Sequence, residues 1–340
     1  MRHESSVLSV SWIPSEAVTG LPKEVFELGV THYDDPLPDE IRSIAELETL
    51  RTAARFRFAN HLAAWIEVED GRIVDAGYSG RGYMGVTTVT LAGHNLRFAP
   101  VGLPDRRQDP VVEGDTASFV QTAGGRAPLP APRRVRHPPF FQLKPPDVWT
   151  TLGLTLRADG SSTFELVGAS EFPRHWLYDA GGALAAKAGL ADFKDWWRKS
   201  FGKYTPWGKR DSKAYVTTVE SALERRLATT IMRGGEKPEI RVIKKGGLLT
   251  EQGRPGDELY LLLDGVLQVD VDGSPLADVG PGAILGERAL LEHGRRTATL
   301  RALTKCRVAT AHADQIDRTA LEQVSRGHRR EEEHQPPADA

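Results

Sequence analysis

The chain has 340 residues, of which 40% are hydrophobic and 26% charged, with a formal net charge of −2. That length exceeds one typical domain and suggests two, and the near-balanced charge excludes a global electrostatic pull toward nucleic acid or an anionic membrane. A single cysteine, Cys306, excludes an intramolecular disulfide framework and a cysteine-built zinc site.

The opening MRHESSVLSVSWIPSEAV has neither a long apolar core nor a small-residue cleavage site, so no signal peptide is expected. No apolar run approaches the roughly 20 residues that cross a bilayer. The expectation is a soluble protein of the reducing cytoplasm, without membrane contact.

In chain order, residues 38–58, PDEIRSIAELETLRTAARFRF, predict a helix. Pro38 suits a first turn, acidic residues follow it, and Ile41, Ile44, Leu47 and Ala54 share one face. The period then shortens to two. WIEVEDGRIVDA sets Asp70-Gly71, a dipeptide that accepts positive φ, between two apolar runs and predicts a hairpin. VTTVTLAGHNLRF, residues 86–98, predicts a second, with Gly93 and Asn95 at its turn. WTTLGLTLRADGSSTFELVG predicts a third, with Leu152, Leu154 and Leu156 on one face and Thr151, Gly153 and Thr155 on the other. Three such hairpins imply antiparallel structure, a sandwich or a partly closed barrel.

Between the second and third hairpins, PLPAPRRVRHPPFFQLKPP carries seven prolines and predicts a loop or an extended crossing segment, with Arg133, Arg134 and Arg136 as a solvated basic run. Residues 172–202 have mixed helical character, in which Phe193, Trp196 and Trp197 anchor a helix against a core. A further helix is predicted over 213–232, where Val216, Val219, Leu223, Leu227 and Ile231 recur at threes and fours before Gly234-Gly235. Glycine-punctuated short strands then predict a compact all-β unit. A short amphipathic helix bearing Ile316, Ala320 and Val324 and a polar tail, GHRREEEHQPPADA, close the chain.

The fold class expected is therefore mainly β, α+β overall: an N-terminal antiparallel β-rich domain with flanking helices, then a C-terminal β-roll with short helices. The expected layout is a β-rich domain over 1–210, a connecting helix over 211–235, the roll over 236–312, a helix over 313–326 and a disordered tail over 327–340.

Within the roll, PGAILGERALLEHGRRTAT predicts a strand, a tight turn, one short helical turn, a loop and a strand. Gly286 lets backbone approach a ligand, and the N–H groups of residues 287–290 face outward at the start of the short helix. Arg296 supplies a planar, permanently charged donor suited to phosphate, while Glu287 can accept hydrogen bonds from sugar hydroxyls. Phosphate joined to ribose fits that set.

These residues resemble the cyclic nucleotide-binding domain, the β-roll of catabolite-activator proteins, kinase regulatory subunits and nucleotide-gated channels. LTEQGRPGDELYLLLDGVLQV, residues 249–269, resembles the family's first glycine-punctuated strands, and residues 282–299 resemble its phosphate-binding cassette. Leu285 stands where phenylalanine is common and Arg295 where proline is common, which leaves the choice between Arg295 and Arg296 to their order before Thr297-Ala298. The resemblance implies that Glu287 accepts from the 2′-hydroxyl and that Arg296 pairs with the cyclic phosphate. It implies backbone contacts from Gly286, Ala289, Leu290 and Thr297, with the Thr297 hydroxyl near the base. Arg288 and Ala298 complete the ligand-binding set. The implied ligand is cAMP, with cGMP as the alternative, and no cofactor or metal is implied. A lid over the base is expected from Ile316 or Val324.

About thirty residues follow Val308, too few for the winged helix-turn-helix of the activators, so DNA binding is not expected. No P-loop and no kinase motif set is present. The favoured reading is a cyclic-nucleotide sensor whose output lies in the N-terminal region, a protein partner or a second copy of the chain. The alternatives are an enzyme with an N-terminal catalytic site gated by the nucleotide, and a scaffold with a degenerate roll. Histidines 32, 61, 94, 137 and 175 show no metal-ligand spacing, and His175, in FPRHWLYD, is expected in an aromatic packing segment.

Overall fold

The computed structural model describes residues 1–18, 33–91, 94–98, 100–129, 131–134, 136, 138, 140–189, 205–207, 217, 219–220, 222–233, 238–291, 294–312, 319 and 321–326. The chain divides into two compact units, Met1–Pro14 with Val18–Val216 and Ser15–Ala17 with Thr217–Ala340.

The first unit contains β1 (Arg2–Trp12), helix α1 (Ile44–Thr52), β2 (Phe58–Glu69), β3 (Arg72–Tyr78), β4 (Arg81–Met84), β5 (Thr87–Leu91), β6 (His94–Phe98), β7 (Val101–Gly102), β8 (Arg106–Arg107), β9 (Val111–Glu113), β10 (Thr116–Arg126), β11 (Ala131–Arg134), β12 (Phe141–Lys144), β13 (Asp147–Arg157), β14 (Ser162–Ala169), β15 (Arg174–Tyr178) and β16 (Leu184–Ala188). One antiparallel sheet runs β16-β15-β1-β2-β3, with β4 also on β2. The other runs β14-β13-β10-β7, with β8 and β9 also on β10. The sheets face each other, because Val7, Leu62 and Ile66 of one share a buried cluster with Phe119, Leu152 and Leu154 of the other. A second cluster, around Ile13, Phe58, Ala123, Val148 and Phe172, fills the far end of the same interior.

Between these two apolar clusters lies a belt of polar side chains. Asn60 Nδ2 donates to the Thr150 carbonyl at 3.0 Å, Gln121 Nε2 donates to Asn60 Oδ1 at 2.8 Å, and Arg107 Nε donates to Gln121 Oε1 at 2.9 Å. His175 Nε2 donates to the Ser170 carbonyl at 2.8 Å, so in the neutral ring Nδ1 accepts from Ser11 Oγ at 2.7 Å. Burial in this setting lowers the pKa of His175 to about 4.

Asp70 and Gly71 both take positive φ between β2 and β3, as the expected hairpin requires. The β5–β6 and β13–β14 hairpins also form, and Leu152, Leu154 and Leu156 all enter the core. Asn95, expected at a turn, instead pairs with Thr90 inside the β5–β6 ladder.

Further expectations are corrected, among them the helix expected over 213–232, which spans Ala222–Arg233 with Thr217, Val219 and Glu220 outside it. The helix expected over 38–58 begins at Ile44 because Ser43 caps it, accepting from the Glu46 N–H at 3.2 Å, while Pro38 offers its carbonyl to the Tyr178 hydroxyl at 2.9 Å. Of its expected face, Leu47 alone is buried within α1. The proline-rich segment carries a two-stranded ribbon, β11 with β12, in which Pro132 stands opposite Leu143. Residues 174–188 form strands β15 and β16 rather than helix. Trp176, Leu177 and Tyr178 are all buried, so both faces of β15 are covered and no alternation marks it as a strand. Phe193, Trp196 and Trp197 lie outside the described residues.

The second unit contains α2 (Ala222–Arg233), β17 (Glu239–Ile243), β18 (Leu248–Thr250), β19 (Glu258–Asp264), β20 (Leu267–Val271), β21 (Ser274–Val279), β22 (Ile284–Leu285), α3 (Glu287–Leu291), β23 (Thr299–Ala302) and β24 (Cys306–His312). Two antiparallel sheets, β17-β24-β19-β22 and β18-β23-β20-β21, make the roll. Alternation along β19 divides its neighbours. Tyr260 and Leu262 join Leu267, Leu285, Leu300 and Val308 in one cluster. Leu259, Leu261 and Leu263 pack with Leu227, Ala228, Ile231 and Met232 of α2, together with Leu321 and Val324. Val324 is therefore committed to that helical layer, while Ile316, Ala320 and the expected tail lie outside the described residues.

Candidate functional site

The cassette starts where β22 ends. Gly286 has φ +92°, a conformation costly for any other residue, and Glu287 follows it as the first residue of α3. A Cβ at Gly286 would lie 2.7 Å from Nη1 of Arg296 and 2.9 Å from the Glu258 carbonyl. The guanidinium thus sits directly against the Gly-Glu turn, nine residues away in sequence. Gly256 borders it from another side, because a Cβ there would collide with Nε and Cζ of the same arginine.

Main-chain bonds fix this arrangement. The 251–256 turn is tied to the end of the cassette by Gly253 N–H to the Arg296 carbonyl at 2.8 Å, Arg296 N–H to the Arg254 carbonyl at 2.8 Å and Gly256 N–H to the Gly294 carbonyl at 3.0 Å. Thr250 Oγ1 donates to the Ala298 carbonyl at 3.2 Å, and the Gln252 N–H donates to Thr299 Oγ1 at 3.0 Å. This register decides between the two arginines. Arg295, bridged to Pro255, is exposed and donates to the Gly253 carbonyl at 2.8 Å, whereas Arg296 is only 6% exposed.

Arg296 Nη1 donates to the Glu258 carbonyl at 2.8 Å and Nη2 to the Tyr260 hydroxyl at 3.1 Å. Its Cζ stands 5.0 Å from the Tyr260 ring centroid, within cation–π range. Five N–H donors make up a guanidinium, so these two bonds leave others for an anion.

Of the residues expected to contact ligand, Gly286, Glu287, Arg288, Ala289 and Leu290 are contiguous through the start of α3, with Glu287 and Ala289 buried. Arg296 joins them in space. Thr297 and Ala298 are half-buried in the segment leading to β23. Leu290 packs against the helical layer. Sequence reasoning missed Gly256, Glu258 and Tyr260, which enter the site from β19 and the turn before it. Glycine punctuation hinted at the turn, but no spacing tied it to Arg296.

The cassette also reaches α2. Glu224 Oε1 accepts from the Ile284 N–H at 3.0 Å, two residues before Gly286, and both Glu224 and Glu220 are buried. A Cβ at Gly282 would lie 2.7 Å from the Glu220 carboxyl carbon.

In the first unit, polar residues do converge, but Ser11 and His175 each have 0% exposure. Neither of these two side chains reaches solvent in this structure. Among the described residues no cluster of histidine, cysteine, aspartate or glutamate could hold a metal, and no helix is long and apolar enough to cross a membrane.

Residues 240–323 match the family model described as "Cyclic nucleotide-binding domain". A domain of that family is present in the chain. A cGMP-dependent protein kinase of Caenorhabditis briggsae is 38% identical over 61 residues, which is 18% of this chain and 8% of the kinase. The potassium/sodium hyperpolarization-activated cyclic nucleotide-gated channel 2 of Mus musculus is 32% identical over 81 residues, 24% of this chain and 9% of the channel. The chain therefore spans less than a tenth of the length of these relatives. A structure described as "Sp-2Cl-cAMPS bound to PKAR CBD2" aligns at TM-score 0.27 and 22% identity, covering 34% of this chain and 75% of the other.

Proposed function

We propose that the second unit binds a purine cyclic nucleotide, cAMP in preference to cGMP, and that the protein is a cytoplasmic sensor whose output is carried by the first unit or by a partner. The observation that carries this reading is the seat of Arg296 against Gly286-Glu287, inside the segment that matches the family. Arg296 holds the cyclic phosphate through charge-assisted bonds, and the Glu287 carboxylate accepts from the ribose 2′-hydroxyl. Gly286 gives the ligand close access to the backbone. The preference for cAMP rests on that nucleotide being the commoner ligand of the family. The named kinase and channel relatives, one of them a cGMP-dependent enzyme, support a cyclic nucleotide of either base.

Signalling requires that ligand favour one arrangement of the unit over another. The Glu224–Ile284 hydrogen bond supplies the route, since a phosphate that draws the cassette inward also draws on α2. The receiver is the first unit, a protein partner or a second copy of the chain.

Calorimetry of the full chain with cAMP and with cGMP tests this reading. Saturable heat with one or both is expected. Absence of heat at ligand concentrations on the order of 100 μM, where even weak sites fill, overturns it and leaves the scaffold reading.

A further inference from the structure

We propose that Glu258 and Arg241 are positioning residues for Arg296, acting through the phenol of Tyr260. The inference rests on the reading of Arg296 as the phosphate-binding group, but it can be tested separately.

Tyr260 has one hydroxyl proton and two neighbours that compete to define where it points. Glu258 Oε2 lies 2.7 Å from the phenol oxygen and, as a carboxylate, can only accept. The phenol therefore donates to Glu258 and turns a lone pair toward Nη2 of Arg296, which donates at 3.1 Å. If Glu258 were uncharged and free to rotate, the same hydroxyl could point its proton at the guanidinium and repel it.

The carboxylate is itself held. Arg241 reaches it with both terminal nitrogens, Nη1 to Oε2 at 2.9 Å and Nη2 to Oε1 at 2.5 Å, the two-pronged geometry that best fixes a carboxylate plane. Arg241 lies on β17, Glu258 and Tyr260 are i and i+2 on β19, and β24 pairs with both strands. The path Arg241–Glu258–Tyr260–Arg296 thus begins on the first strand of the roll and ends on the cassette.

Charge states agree with this polarity. The Arg241 hydrogen bonds hold the Glu258 carboxyl below its ordinary range, and burial, with Glu258 second, pushes the Tyr260 phenol up to about 12. Near neutral pH the carboxylate is charged and the phenol keeps its proton, as the relay requires.

The purpose of such a relay follows from the cost of ordering a long side chain. A free arginine must lose its rotamer freedom when an anion arrives, whereas one already held at two nitrogens has lost most of it beforehand.

The test uses the full chain and two readouts. Arginine side-chain NMR without ligand follows rotation of the Arg296 guanidinium, and calorimetry with cAMP and cGMP follows affinity. In the wild type, slow guanidinium rotation is expected. In Glu258→Gln and in Tyr260→Phe that restriction is relaxed, only the Nη1 bond to the Glu258 main-chain carbonyl remaining, and affinity falls about tenfold, the scale of one lost hydrogen bond to a charged group. The double variant should be no weaker than Tyr260→Phe alone, because both changes act through one hydroxyl. Arg241→Lys, which keeps the charge and loses the two-pronged contact, gives an intermediate effect and serves if Glu258→Gln does not fold. Unchanged Arg296 rotation in Glu258→Gln, or in Arg241→Lys where that variant must serve, overturns the proposal. Additive losses in the double variant do so too. A wild type that gives no heat with either nucleotide overturns the binding reading instead, while the NMR comparison still decides the relay.

Discussion

Arg296 occupies the space that any side chain at position 256 would need, so Gly256 and Arg296 are sterically exclusive neighbours. Gly256 does not have a positive φ, so the left-handed backbone strain that penalises alanine is absent there. Gly256→Ala therefore isolates the collision from backbone strain. The expected result is a loss of nucleotide affinity close to that of removing Arg296, with overpacking costing about 1–3 kcal/mol of stability. Calorimetry and denaturant melts read the two effects separately.

The two adjacent arginines should differ sharply. Arg296→Ala removes charge-assisted bonds to the phosphate and is expected to weaken binding by about 100-fold or more, at roughly 1.5–3 kcal/mol per bond. Arg295→Ala removes an exposed contact to the Gly253 carbonyl and should change affinity less than about threefold. Equal losses in both variants would refute the register described for the cassette.

Removing the Glu224 carboxylate leaves the buried Ile284 N–H without that acceptor. Glu224→Ala should destabilise the second unit by about 1–3 kcal/mol, the cost of an orphaned buried donor. Amide exchange at Ile284 should accelerate at least tenfold on that scale. Retained protection at Ile284 would remove Glu224 from the path between cassette and helix.

Acid stability of the first unit tests the polar belt. His175 stays neutral in the fold down to about pH 4, against an ordinary value of 6.5. Its contribution is present in full above pH 6.5 and is lost as the pH falls toward 4, because the unfolded chain takes up the proton first. Asp34 runs the other way. Burial raises it to about 6, against the pull of Arg57, so it gains a proton in the fold first and offsets part of the loss below that pH. Wild type minus His175→Gln, measured by denaturant titration, should shrink by about 2 kcal/mol between pH 7.5 and pH 5. A difference independent of pH would place a charged imidazole in the belt.

Much of this architecture is legible wherever a local rule coincides with the tertiary result. Asp70-Gly71 needs positive φ in a two-residue turn, and that need is written in the residues themselves. The Gly286-Glu287 turn and the arginine that follows are likewise a contiguous pattern. What is not legible arises between distant strands. β15 escapes because Trp176, Leu177 and Tyr178 are covered on both faces, which erases the period of two. The start of α1 escapes because Pro38 has a better partner in Tyr178, 140 residues away. Glu258, Tyr260 and Arg241 come together only once β24 has paired with both β17 and β19.

Inside-outside patterning alone cannot tell β10 from itself displaced by two residues along β13, since every inward side chain would stay inward. Such a displacement would carry Gln121 into an alkyl layer and strand the Asn60 amide, and it would leave Arg107 reaching for a carboxamide that had moved. The sandwich thus contains its own length gauge. A two-residue insertion in β10 that preserves the alternation of hydrophobic and polar positions would still be rejected by the fold.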